Sequence, residues 1–348
     1  MDATRSIALL FVILSVGSSP AAAQRKVAYS IRTMGTQGTV TIVTGDSLAS
    51  LPAARAAHGE WLRVDSLMSN WTRTSEVARI NRDAAAESLA IDPEVGRVIE
   101  TALRIHGESR GAFDITIEPV VRLWGFLGGS PRVPADEEIR RALALTGAER
   151  VEFDPPDRVF FRKEGVRIDL GGIAKGYGVD RAAASLLENG VTCALVDLSG
   201  NMTALGSPPG REAWVVGVRD PRDRIPSLVR LELPGGGSIA TSGNYEIFLS
   251  HGGKTYGHIL DPRTGWPAEG LISATVLAPS AMEADAWATA FIVLGPDEAK
   301  SLASGRADLS GIFIEPGQPG DVIWVETVLR GTVEIEPAAE GVARIVFF

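Results

Sequence analysis

Apolar positions along the chain switch between two spacings, and the switches mark out its elements. Alternation over 26–32 and 39–44 predicts two strands, joined by the turn Met34-Gly35-Thr36-Gln37-Gly38. The segment 52–68 then takes helical spacing. A second helix is predicted over 92–110: Asp92 caps it, Pro93 suits its first turn, Val95, Val98, Ile99, Ala102 and Ile105 form its stripe, and Gly111 ends it. A shorter helix over 135–146 stops at Gly147. Short strands follow at 151–153, 158–162 and 166–170. A helix over 173–189 places Val179, Ala183, Leu186 and Leu187 on one face and ends at Gly190. The second half is mostly strand, at 193–198, 213–218, 228–233, 271–277 and 311–314, interrupted by one helix over 281–294. Three further alternating runs close the chain, the last at 343–348. Strands that arrive in runs, rather than in strict alternation with helices, predict an α+β fold with mixed, largely antiparallel sheets.

Composition narrows the class. The 348 residues are 45% hydrophobic and 22% charged, enough to bury a substantial core. A net charge of −9 without a basic stripe argues against nucleic acid as a partner. The single cysteine, Cys193, sits in an apolar stretch and reads as a buried small hydrophobe; it cannot form an internal disulfide. At the start, Arg5, the apolar run 7–16 and Ala21-Ala22-Ala23 have the order of a secretory signal peptide. The expectation is therefore a removed segment 1–23 and one domain over 24–348. The product is exported, periplasmic and soluble, with no cysteine after the apolar run to carry a lipid.

Five segments carry candidate chemistry. In Asp169-Leu170-Gly171-Gly172-Ile173-Ala174-Lys175-Gly176, an aspartate enters a Gly-Gly turn and a helix starts at once. Close backbone approach and free N–H groups there favour phosphate. Lys175 stands in the first helical turn, where a cation is disfavoured unless an anion is bound; the alternative is a tight turn with a solvated lysine. In Ser280-Ala281-Met282-Glu283-Ala284-Asp285, Ser280 and Glu283 have capping-box spacing. Asp285 and Thr289, four apart, share a helix face and offer the hard oxygens that suit Mg²⁺, or simply bond to each other. His258 lies where a strand meets the turn Asp261-Pro262-Arg263-Thr264-Gly265, placed for acid–base work or for capping. Gly111-Ala112-Phe113-Asp114 and Asn70-Trp71-Thr72 offer a close backbone approach and an aromatic ring in a loop for stacking; core packing or ordinary turn chemistry is the alternative for each. The other histidines, His58, His106 and His251, read as surface, interface or hairpin-turn residues.

Taken in order, these segments resemble the ApbE family of FAD:protein FMN transferases. The matching pieces are Thr33-Met34-Gly35-Thr36, Met68-Ser69-Asn70-Trp71, Gly111-Ala112-Phe113-Asp114 with Leu123-Trp124-Gly125-Phe126, Asp169 to Asp180, Ala240-Thr241-Ser242-Gly243-Asn244-Tyr245, His258 to Gly265, and Met282-Glu283-Ala284-Asp285. The resemblance implies an α+β fold with FAD in a cleft between two subdomains, Mg²⁺ at the pyrophosphate, transfer of FMN to a threonine of an acceptor protein, and loss of AMP. Position by position it implies FAD contacts at Met34, Trp71, Ala112, Phe113, Asp114, Asp169, Lys175 and Leu260. It implies metal ligands at Gly172, Asp285 and Thr289, and activation of the threonine by His258. The acceptor it implies is an exported domain of a membrane redox complex. Trp71 replaces a usual tyrosine and Ala288 a common serine, and Leu127-Gly128-Gly129-Ser130-Pro131 fits no family pattern. Two other outcomes stay open at this level: cleavage of FAD by water to FMN and AMP, and flavin binding without catalysis.

Overall fold

The computed structural model describes residues 24–318 and 320–348; the expected leader at 1–23 lies outside them. The predicted first pair of strands is a tight hairpin, Arg25–Thr33 with Thr36–Thr44, in which Thr33 pairs with Thr36. Both turn residues, Met34 and Gly35, have positive φ (48° and 73°). That geometry matches the twist of the flanking strands, and it is unusual for a methionine.

Seven α-helices occur among the described residues: α1 (Ser47–Met68), α2 (Glu76–Asp83), α3 (Pro93–Glu108), α4 (Glu118–Trp124), α5 (Asp136–Leu143), α6 (Ala174–Glu188) and α7 (Ala281–Ser304). The main sheet has nine strands whose order in space is their order in the chain. After the first hairpin come Ala194–Leu198, Asn201–Leu205, Ser238–Gly243, Ser273–Ala278, Ser310–Glu315, Asp321–Val325 and Ala343–Phe347. Neighbours are antiparallel except the last pair, which is parallel. The fold is thus α+β and largely antiparallel, as the pattern predicts.

Helices cover one face of this sheet. Ala53, Ala54, Ala57 and Trp61 of α1 pack with Val179, Ala182 and Leu186 of α6 over the first strands. Trp287, Phe291 and Ile292 of α7 continue that layer into the largest core, with Val95, Val98, Ile99 and Ile105 of α3. A three-stranded sheet (Trp214–Val218, Val229–Leu233, Val333–Ile335) meets main-sheet residues such as Ile312, Ile314 and Ile323 in a separate core. Smaller sheets are Leu89–Ala90 with Arg158–Phe161 and Val151–Asp154, and a hairpin of Phe248–His251 with Lys254–Gly257. Among the described residues no helix is long and apolar enough to cross a membrane.

Several expectations shift. Helix α1 starts at Ser47, capped by Asp46, and keeps Pro52 near its first turn. The expected helix end at 294 coincides with Gly295 (φ 76°), whose backbone is not helical; a second helical segment then runs from Pro296 to Ser304, and α7 denotes both. The segment 166–170 is not a strand. Side-chain amides take the place of a ladder: Asn81 accepts from the Ile168 N–H (2.7 Å), and the Ile168 carbonyl accepts from Asn70 (3.0 Å) and Asn81 (2.9 Å). His58 is not a surface residue. It is buried against Trp61, its Nε2 lies 3.2 Å from the Tyr29 carbonyl oxygen, and burial lowers its pKa. Cys193 is half-buried, and its thiol donates to the Ser207 carbonyl (3.1 Å).

Candidate active site

Helix α6 begins without a side-chain cap: Ile173 occupies the capping position and offers no acceptor. An uncapped helix start leaves N–H groups that something must satisfy. Here the acceptor comes from α7, where Asp285 Oδ2 receives the Gly176 N–H at 3.0 Å. The relation is reciprocal. Asp180 of α6 receives the N–H groups of Ala281 (2.8 Å) and Met282 (2.9 Å) in the first turn of α7. Ser280 caps α7 locally by accepting from Glu283 N–H (3.2 Å). Each helix therefore caps the other with an aspartate. Gly176 is what permits it, since a Cβ there would overlap the Ala281 carbonyl oxygen.

Asp285 is buried, and burial pushes its carboxyl pKa up; Lys175 and the Gly176 N–H act in the opposite direction. Lys175 Nζ stands 3.8 Å from Asp285 Oδ1 and donates to the Gly171 carbonyl (3.2 Å). The internal carboxylate thus supplies an anion for the lysine that the sequence places against the helix dipole. One turn along α7, Thr289 Oγ1 lies 3.2 Å from the Asp285 carbonyl oxygen and 3.2 Å from Ser242 Oγ. The Gly-Gly turn closes on the same point: a Cβ at Gly172 would stand 3.3 Å from Thr289 Oγ1 and 3.2 Å from the Phe113 ring. Asp169 shapes that turn by accepting from the Gly171 N–H (2.9 Å).

Phe113 and Ala112 are buried between α3 and the turn Ile115–Ile117. Asp114 caps that turn, accepting from the Thr116 N–H (2.7 Å) and hydroxyl (2.6 Å), and burial pushes its pKa up. His106 Nδ1 lies 3.0 Å from the Phe113 carbonyl oxygen and 3.4 Å from Asp114 Oδ2, which gives this histidine a place beside the candidate residues.

His258 donates its backbone N–H to the Ile247 carbonyl (3.1 Å), and its Nδ1 lies 3.2 Å from the same oxygen. A carbonyl only accepts, so Nδ1 carries the proton and Nε2 keeps its lone pair. Desolvation, with the charge of Lys175 adding to it, lowers the His258 pKa from 6.5 to about 4. Lys175 is therefore electrostatically linked to both Asp285 and His258.

The structure gathers Gly172, Lys175, Phe113, Asp285 and Thr289. The others are more dispersed. Met34 reaches α6, its Sδ 3.7 Å from where a Gly178 Cβ would be. Leu260 belongs to a separate apolar cluster with Val120, Trp124 and Ile139. Trp71 stands on a loop, 72% exposed. Asp180, Gly176 and Ser242 were not singled out as site residues by sequence reasoning. A carboxylate beside Val179 on an otherwise apolar helix was the available signal for Asp180.

The oxygens at this point fit a hard cation. Among the described residues no three His, Cys, Asp or Glu side chains form a ligand cluster. The set instead combines the Asp285 carboxylate, the Thr289 hydroxyl and the backbone of Gly172. Mg²⁺ is typically held by one or two carboxylates and completes its shell with substrate phosphates and water. A buried carboxylate with one hydrogen bond and a lysine at 3.8 Å is incompletely neutralised, and a cation would complete it.

Comparison with known proteins shows the family. The ApbE family model matches residues 34–313. An FAD:protein FMN transferase of Vibrio cholerae is 32% identical over 305 residues, covering 86% of this chain and 90% of the relative. One from Klebsiella pneumoniae is 31% identical over 306 residues, covering 86% and 87%. Among solved structures, the flavin transferase ApbE from Vibrio cholerae superposes with a TM-score of 0.80 at 28% identity, covering 89% of this chain and 99% of that one. The ApbE protein from Thermotoga maritima gives 0.77 at 32% identity, covering 91% and 98%.

Proposed function

This chain belongs to the ApbE family, and on that premise we propose that it transfers the FMN half of FAD to a threonine of an acceptor protein, releasing AMP. The relatives carry the name FAD:protein FMN transferase. The observation that carries the reading to this chain is the shared neighbourhood of Lys175. One lysine links a buried carboxylate–hydroxyl pair suited to Mg²⁺ with a histidine whose Nε2 is free to take a proton.

In this reading the threonine Oγ bonds to the FMN phosphorus while the bond from that phosphorus to the bridging oxygen breaks. The hydroxyl proton goes to His258 Nε2, and AMP departs with the bridging oxygen. His258 is neutral at pH 7 and so able to accept the proton. Asp285, Thr289 and the Gly172 carbonyl would hold Mg²⁺, which when bound supplies charge neutralisation at the pyrophosphate. Lys175 adds a second positive charge at the same place. The Gly-Gly turn, with Asp169 fixing it, lets the phosphates approach backbone. Phe113 stands beside Gly172, and Ala112, Asp114, Met34, Trp71 and Leu260 are assigned to the remainder of FAD.

The test is mass spectrometry of threonine-containing exported proteins incubated with the purified protein, FAD and Mg²⁺. A mass gain of one FMN on an acceptor, dependent on Mg²⁺ and matched by AMP, is the expected result. FMN and AMP released with no labelled protein would point to water as the nucleophile; intact FAD would leave flavin binding alone. We also propose that the protein is exported, on the order of charge, apolar run and small residues at 5–23. Sequencing the N-terminus of the protein recovered from the periplasm tests that.

A further inference from the structure

The hairpin of Phe248–His251 and Lys254–Gly257 leads directly into His258. Its register pairs Phe248 with Gly257, Leu249 with Tyr256 and His251 with Lys254. Because the His258 N–H donates to the Ile247 carbonyl, these two residues form a hydrogen-bonded pair. Alternation along an antiparallel ladder makes 249/256 and 251/254 the next such pairs. The N–H and C=O groups of Phe248 and Ser250 therefore point outward, away from the partner strand. Among the described residues no other strand or loop backbone pairs with them.

The two strands are supported unequally. The ring of Tyr256 packs 5.5 Å from Trp124 and 6.5 Å from Trp266, and Lys254 pairs with Glu269 at 2.9 Å. The outer side of that strand faces a cavity of about 190 Å³ bounded by Pro267, Glu269 and Ile272. The other strand is largely open to solvent, and Ile247 and Phe248 are each 52% exposed. Proteins usually protect an open edge with charge, proline or a covering element. The run Ile247-Phe248-Leu249-Ser250 has neither charge nor proline.

We propose that the Phe248–His251 edge is where the acceptor protein docks, by laying an extended segment alongside it as a third strand. This inference rests on the transferase reading above. The occupant is a polypeptide because the edge offers alternating backbone donors and acceptors, which another extended backbone matches and FAD does not. It is the acceptor because of what heads the edge. The Ile247 carbonyl is the atom that holds His258 Nδ1 (3.2 Å), so a paired segment lies one strand spacing, about 4.8 Å, from the backbone that orients the imidazole. Exposed Ile247 and Phe248, successive residues on opposite faces, supply one apolar contact to each face of the incoming strand.

The test uses the full-length mature protein and a synthetic twelve-residue peptide centred on the threonine that the transfer assay labels. Ser250→Pro removes an outward N–H that the hairpin itself does not use, and Ser250→Ala keeps it. Expected for Ser250→Pro is a rise of roughly tenfold in KM for the peptide, the effect of one hydrogen bond. Release of FMN from FAD in the absence of peptide should be unchanged, and Ser250→Ala should behave as wild type. With the wild-type protein, N-methylation of successive peptide residues should weaken transfer with a period of two. Unchanged peptide KM in Ser250→Pro together with no period in the N-methyl series overturns the docking edge while leaving the transferase reading intact. If Ser250→Pro loses the water reaction as well, the N-methyl series decides. A wild-type protein that labels no acceptor overturns both.

Discussion

The Gly176 N–H and the Asp285 carboxylate meet at 3.0 Å across the contact of α6 and α7, two residues 109 positions apart in the chain. This single bond commits a buried carboxylate to a helix start, beside the lysine and the Gly-Gly turn of the site. Burial opposes its charge, so the residue is kept at a cost to the folded protein. Asp285→Asn should therefore lower Mg²⁺-dependent cleavage of FAD by at least about 100-fold, while the thermal midpoint measured without Mg²⁺ stays level or rises. Full activity in Asp285→Asn would remove this residue from the metal site.

His258→Ala should bind FAD with little change and lose transfer by roughly 10² to 10⁴. Calorimetry and the mass assay separate the two effects.

The same imidazole gives a pH prediction. Its pKa is about 4 when folded, against 6.5 for the free side chain. Between those values the unfolded chain holds a proton that the folded one does not. The His258 contribution to stability is thus complete above pH 6.5 and is lost as pH falls toward 4. Urea melts at pH 7 and pH 5 should show a smaller loss in His258→Ala than in the wild type. The acid limb of the transfer rate should likewise lie nearer pH 4 than pH 6.5; a limb centred at 6.5 would show an unshifted histidine.

Gly176→Ala places a Cβ against the Ala281 carbonyl, where neither helix can yield without moving the other. A loss of about 1–3 kcal/mol is expected from overpacking, read as a lower urea midpoint, with weaker Mg²⁺ binding as the helices separate. Unchanged stability would show that α6 and α7 do not touch at Gly176.

Asp180→Ala leaves the N–H groups of Ala281 and Met282 without their acceptor. Loss of a helix cap of this kind is worth about 0.5–2 kcal/mol, and the variant should also need more Mg²⁺ for half-maximal rate. Burial holds the Asp180 pKa up near 6, so Asp180→Asn, uncharged at every pH, should be the milder change.

Much of the architecture was legible because it is locally encoded. The stripe from Val95 to Ile105, the caps at Asp92 and Ser280, and the alternation of the first hairpin each specify an element within a few residues. The pairing of Asp285 with Thr289 was legible for the same reason, since helical spacing alone puts them on one face. What pattern could not reveal depended on distant partners. The run at 166–170 alternates like a strand, but Asn70 and Asn81 supply its hydrogen bonds, and no property of the run itself announces them. His58 carries a polar side chain on a helix, yet Tyr29 and Trp61 enclose it. Asp180 reads as one more polar helix residue until α7 is seen to start against it.

The crossed caps of α6 and α7 also make the site depend on two distant parts of the chain. A nascent chain that ends before α7 already holds the Gly-Gly turn and Lys175, but the Gly176 N–H still awaits a carboxylate 109 residues downstream. Asp180, in turn, awaits backbone groups 101 and 102 residues away. A truncated product from the first three-quarters of the chain keeps Gly172 and Lys175 but lacks both Asp285 and Thr289. The carboxylate and the hydroxyl of the proposed cation site arrive together, on the last α-helix of the chain.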